Sequence, residues 1–138
     1  MKLKNKVAIV TGGGKGIGRE ICIGLSKEGA KIVIADLDKE NSSKVINDIK
    51  NVGSDAIAVE TDISNESSVD NLILETIKKF GKIDILINNA GIRHVKKLAN
   101  HNLKDWNDML SVNLTGPYIC SKAAIPEMKK VGKGKIIN

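Results

Sequence analysis

The chain has 138 residues, 41% of them hydrophobic and 28% charged, which excludes a disordered polypeptide and allows one domain with a real core. Aromatic residues make up only 2%, so the core must be aliphatic, as in a buried parallel sheet. The net charge of +6 lacks the aromatic platforms that stack bases, and its lysines are interspersed with acids; a solvated surface, not a nucleic-acid face, is the reading.

Short apolar runs at 6–11, 31–35, 55–60, 83–87 and 133–138 read as strands. Helical patterns lie between them. Ile17, Ile21 and Leu25 recur at helical spacing after the first strand, and Val45, Ile49 and Val52 after the second. After the third, Val69, Leu72, Ile73, Ile77 and Phe80 form one stripe, with Ser64 as the expected N-cap and Glu66 in the first turn. Gly29, Gly53 and Gly81 punctuate the helix ends, and the lysines between 129 and 135 sit where a helix dipole favours them. Pro117 should bend or interrupt its helix. Such alternation predicts right-handed βαβ units in one α/β domain over 1–138: a Rossmann-like, doubly wound parallel sheet of about five strands, incomplete at its C-terminal end.

Cys22 and Cys120 fall inside helical patterns without Cys-x-x-Cys or metal-ligand spacing, so they read as small core residues in a reducing compartment. His94 and His101 likewise lack ligand partners at metal spacing, and no metal site is expected. No run approaches the roughly 20 apolar residues of a membrane span, and the N-terminal apolar run is too short for a signal peptide. A cytoplasmic protein is expected.

The first predicted strand ends in Thr11-Gly12-Gly13-Gly14-Lys15-Gly16-Ile17-Gly18, directly before a helix. Glycines there let the backbone approach a pyrophosphate, and the helix N-terminus offers free N–H groups to it. Gly12, Gly14, Lys15, Gly16, Ile17 and Gly18 are therefore candidate cofactor residues. Asp36, with the adjoining Leu37, follows the second strand, where a carboxylate can accept both ribose hydroxyls and repel a 2′-phosphate. NAD is favoured over NADP, although Lys15 could assist a 2′-phosphate. Asp36 could instead be a turn or capping carboxylate, a role open to Asp38 as well.

Together, the T-G-x-x-x-G-I-G loop, Asp36, Asp62 after the third strand and Asn88-Asn89-Ala90-Gly91 after the fourth resemble the short-chain dehydrogenase/reductase family over residues 6–138. The resemblance implies that Asp62 and Ile63 bind the adenine, that Asn89, Ala90 and Gly91 line the adenine-ribose side, and that Asn113 is the catalytic asparagine of a proton relay. Asn113 could also be a buried structural asparagine, a lesser alternative that is compatible with the relay role. Tyr118 and Lys122 have the family's Y-x-x-x-K spacing but precede the fifth strand, where the family's catalytic pair does not lie. The catalytic serine, tyrosine and lysine are expected beyond residue 138.

The resemblance thus implies an oxidoreductase that moves hydride between nicotinamide and an alcohol or ketone, usually as a homo-oligomer, with this chain supplying its cofactor-binding half. A non-catalytic dinucleotide module and an inactive remnant are the alternatives. The isolated chain is expected to be marginally stable and to self-associate.

Overall fold

The computed structural model describes residues 1–138 and forms a five-stranded parallel sheet in the order β3-β2-β1-β4-β5. The strands are β1 (Val7–Thr11), β2 (Lys31–Asp36), β3 (Ala56–Glu60), β4 (Ile85–Ile87) and β5 (Lys135–Ile137). The helices are α1 (Gly16–Lys27), α2 (Lys39–Asn51), α3 (Glu66–Phe80), α4 (Leu103–Leu110) and α5 (Gly116–Lys130). This is the Rossmann-like, doubly wound α/β architecture that strand–helix alternation predicts.

Alternating residues of each strand face two separate aliphatic cores. Val7 and Ile9 of β1, Val33 and Ala35 of β2 and Leu86 of β4 pack with Val69 and Leu72 of α3 and Ile119, Cys120, Ala124 and Met128 of α5. Ala8, Val10, Ile32, Ile34, Ile85 and Ile87 pack with Cys22 of α1 and Val45 and Ile49 of α2 on the other face. A strand covered on both sides must be apolar on both sides, which is why the central strands are unbroken apolar runs. Burial pushes the thiols of Cys22 and Cys120 up to about 12 and about 11, so both stay protonated.

Three local expectations need correction. The N-cap of α3 is Asn65, whose side chain accepts from the Ser68 N–H, whereas the Ser64 hydroxyl donates to Asp62. Ile17 is not part of the buried stripe of α1; it is 75% exposed. The fourth strand is shorter than 83–87, running Ile85–Ile87; Asp84 just before it is buried, its carboxylate accepting from the Val7 N–H and paired with the ammonium groups of Lys6 and Lys82. Asp38 does cap α2, accepting from the Asn41 N–H.

Helices α4 and α5 run on into each other through a π-turn at Ser111–Thr115. Pro117 has no N–H to give the carbonyl four residues back, at Asn113, and the ladder widens there without ending the helix. Pro126 lies inside α5 on an exposed position, and the helix runs on through it to Lys130.

Candidate functional site

Parallel strands deliver their C-terminal ends to one edge of the sheet, and a cavity of about 440 Å³ opens there. Its walls come from the turns after β1, β2, β3 and β4. Every cofactor residue expected from sequence lines it except Gly14 and Gly16, which lie in the adjoining loop. Ala35, Asp38, Thr61, Ile92 and Val112 complete the lining, and none of these five carries a motif by which sequence could have marked it.

The glycine loop is built for close approach. A Cβ on Gly18 would sit 2.0 Å from the Gly12 carbonyl oxygen, so only glycine lets α1 begin this near the end of β1. Gly16 has a φ of +53° and open space where a side chain would point. Helices α2, α3 and α4 are capped by the side chains of Asp38, Asn65 and Asn102, but α1 has no side-chain cap and no acid in its first turn. The N–H groups of Gly16, Ile17 and Gly18 donate to nothing in the protein. They offer an anion three unspent donors and the positive end of the helix dipole.

Asp36 holds the loop in place. Its Oδ2 accepts from the Gly14 N–H at 2.9 Å and its Oδ1 from the Asp38 N–H at 3.0 Å. Each oxygen keeps a lone pair for another donor, so pinning the loop and receiving hydroxyls are compatible. Asp38 lies alongside; hydrogen bonds from Asn41, and after them the charge of Lys15, hold its carboxyl below the usual range. Lys39 is turned away onto Glu60 at 2.6 Å.

The far wall is tied to the near one by Thr11. Its buried hydroxyl accepts from the N–H groups of Asn89 and Ala90, both at 3.0 Å, and donates to the Ile87 carbonyl at 3.3 Å. Asn89 Nδ2 answers by donating to the carbonyls of Thr11 and Gly12 at 3.0 and 3.1 Å. Asp62 makes a turn of its own, accepting from both the N–H and the hydroxyl of Ser64, and stays at the cavity wall beside Ile63.

Asn113 stands outside the cavity lining, on the π-turn, and is exposed rather than buried. Its side chain grips the backbone of Ile92, taking the N–H on Oδ1 and giving Nδ2 to the carbonyl, both at 2.8 Å. Tyr118 is 60% exposed on α5, Lys122 reaches Glu66 of α3 at 3.7 Å, and neither lines the cavity. His94 and His101 are in the segment between β4 and α4. No three His, Cys, Asp or Glu side chains come together as a metal-binding group, and no helix is long and apolar enough to cross a membrane.

A doubly wound parallel sheet, a glycine turn into an uncapped helix and a carboxylate after the second strand define a protein of the dinucleotide-binding α/β class. The family model for short chain dehydrogenases matches residues 6–138, and the chain belongs to that family of oxidoreductases with an NAD(P)-binding fold. It is 43% identical to an uncharacterized oxidoreductase of Thermotoga maritima over 136 residues, which is 99% of this chain and 53% of that protein. Among solved structures it is similar to an NAD+-bound xylitol dehydrogenase, with a TM-score of 0.94 and 30% identity over 99% of this chain and 53% of that one. A metagenomic short-chain oxidoreductase in complex with NADP gives a TM-score of 0.93 at 31% identity, covering 100% of this chain and 63% of that one. The chain therefore spans about half the length of the curated relatives it matches.

Proposed function

We propose that residues 1–138 form the cofactor-binding domain of an NAD-dependent oxidoreductase acting on a small alcohol or ketone, incomplete without the catalytic serine, tyrosine and lysine of the family. The observation that carries this reading is the uncapped start of α1 beside the Asp36 carboxylate on the wall of one cavity. When bound, the nicotinamide would supply the hydride-transferring ring. The chain's own residues would hold the rest of the molecule.

The free N–H groups at Gly16, Ile17 and Gly18 would take the pyrophosphate, with Gly12, Gly14 and Lys15 shaping the turn. Asp36 and the Leu37 backbone would meet the adenosine ribose, and Asp62, Ile63, Asn89, Ala90 and Gly91 would enclose the adenine side. Two carboxylates at the ribose end, Asp36 and Asp38, favour NAD over NADP, because a 2′-phosphate would face both. Lys15 lines the same cavity, and its charge, which Asp38 feels, works against that preference without cancelling it. Asn113, through its hold on Ile92, would keep the turn after β4 in register and take part in the proton relay of the complete enzyme.

Buried thiols and the absence of a membrane-spanning helix fit a cytoplasmic setting. Leu103, Trp106, Leu110, Leu114 and Tyr118 are all exposed along the continuous helix of α4, the π-turn and α5, and we propose this stripe as the homo-oligomer contact.

Calorimetric titration with NAD and NADP, beside an Asp36→Ala variant, tests the reading. Saturable NAD binding that weakens at least tenfold in the variant (about 1.4 kcal/mol) supports it. A folded chain that binds neither dinucleotide overturns it in favour of an inactive remnant.

A further inference from the structure

We infer that Cys22 is a positioning residue for the bound dinucleotide. It seats Gly13 from below and so sets where the free N–H groups at the start of α1 stand in the cavity. This rests on the reading of the cavity as a dinucleotide site, although Cys22 itself is not part of the cavity wall.

The turn from β1 into α1 runs through a space that other side chains have filled. Gly12 takes Asn89 Nδ2 on its carbonyl at 3.1 Å. Gly14 lies against the Asp36 carboxylate and the Ser42 hydroxyl, whose oxygens would stand 3.0 and 3.2 Å from a Cβ there. Beneath Gly13 are Cys22 and Ile34: a Cβ on Gly13 would meet the Cys22 sulfur at 3.0 Å and Ile34 Cγ2 at 3.1 Å. Gly13 is not among the glycines of positive φ. Shortage of room, not backbone strain, is therefore what suits glycine to this position.

Cys22 lies fully buried in the second turn of α1, so the helix tucks one of its own side chains under the loop that leads into it. Its thiol donates to the Gly13 carbonyl at 3.8 Å, a long contact of the kind sulfur makes. No other donor of the protein reaches that oxygen. A close-packed interior has no slack, so bulk added to either partner has to move the loop or the helix. Gly13 lies just ahead of Gly16, Ile17 and Gly18, and displacement of the loop would shift the N–H groups that face an anion. Cys120 offers the contrast: it packs with α3 and α5 on the other side of the sheet, where it touches no part of the loop.

The experiment is a double-mutant cycle in the 138-residue chain. Affinity for NAD and ADP is read by calorimetry, adenosine binding by NMR titration, and the folded state of each variant by circular dichroism. Gly13→Ala should weaken NAD and ADP about tenfold, while adenosine, which carries no phosphate, binds as it does to the parent. Cys22→Val, which adds a branch from the other side of the contact, should do the same. Adding Cys22→Ala to Gly13→Ala removes the sulfur that the new methyl meets, and should bring NAD affinity back to within about threefold of the parent. Cys120→Ala, a thiol lost from the other core, should leave affinity unchanged.

A Gly13→Ala chain that binds NAD as tightly as the parent overturns the inference. So does a double variant that binds no better than Gly13→Ala alone, because the two residues would then act independently. Equal losses for adenosine and NAD overturn it as well, since the contact would serve only general folding. A parent chain that binds no dinucleotide sinks the underlying reading, and this inference with it, before any variant is compared.

Discussion

Asn113 closes a two-point clamp on Ile92, holding both the N–H and the carbonyl of that one residue at 2.8 Å. The clamp joins the widened turn between α4 and α5 to the segment that follows Gly91 at the cavity rim. Replacing Asn113 by Ala removes two hydrogen bonds and should cost about 1–2 kcal/mol. Faster amide exchange at Ile92, with the exchange of β1 unchanged, would report the loosened turn. Unchanged protection of Ile92 in the variant would refute the clamp.

Gly18→Ala should be far more severe than its size suggests. The added methyl would meet the Gly12 carbonyl at 2.0 Å and Asn89 Nδ2 at 2.6 Å, both fixed parts of the site. We expect a loss of about 3 kcal/mol by thermal or urea unfolding, together with loss of dinucleotide binding. Gly24→Ala is the control, because its Cβ would touch nothing within 4 Å. It should be neutral or slightly stabilising.

Asp84 governs the acid side of the stability profile. Burial works against its charge, but hydrogen bonds from Lys6, the Val7 N–H and Lys82 outweigh that and hold its carboxyl below the usual range. A depressed folded-state value means that the contribution is complete above the unfolded value of about 4 and is lost as pH falls through the folded one. Asp84→Asn should therefore lower stability by about 2 kcal/mol at pH 7, and the gap to the parent chain should narrow in the acid range. A constant gap between pH 7 and pH 2 would exclude this role for Asp84.

Cys22 and Cys120 serve as built-in reporters of opening. Both thiols are buried and held well above the ordinary cysteine range, so the native chain should resist a thiol reagent at pH 8. Labelling should follow global unfolding and quicken in urea. Immediate labelling of either cysteine without denaturant would mean that the sheet opens locally.

Tyr118→Phe and Lys122→Met should leave dinucleotide affinity within twofold, well under 1 kcal/mol. The two side chains are on the outside of α5, away from the cavity. A large loss of affinity in either variant would return them to the site.

The fold and most of the cavity wall were legible because they rest on local rules. Short unbroken apolar runs and period-3.6 apolar stripes produce β1 through α3, the glycine turn announces itself by composition, and Asp36, Asp62 and Asn89 lie at or just past strand ends where a parallel sheet places its ligands. What sequence left undecided was settled by competition between neighbours. Ser64 and Asn65 could each cap α3; the asparagine does so because Asp62 captures the serine hydroxyl. Ile17 fits a helical stripe, yet the end of β1 turns it toward the cavity mouth. Asn113 looked like a buried helix residue, and only the folding of Gly91 and Ile92 back against a π-turn gives its amide a partner 21 residues away. Such pairings need two distant segments to meet, and no periodicity within either segment encodes the meeting.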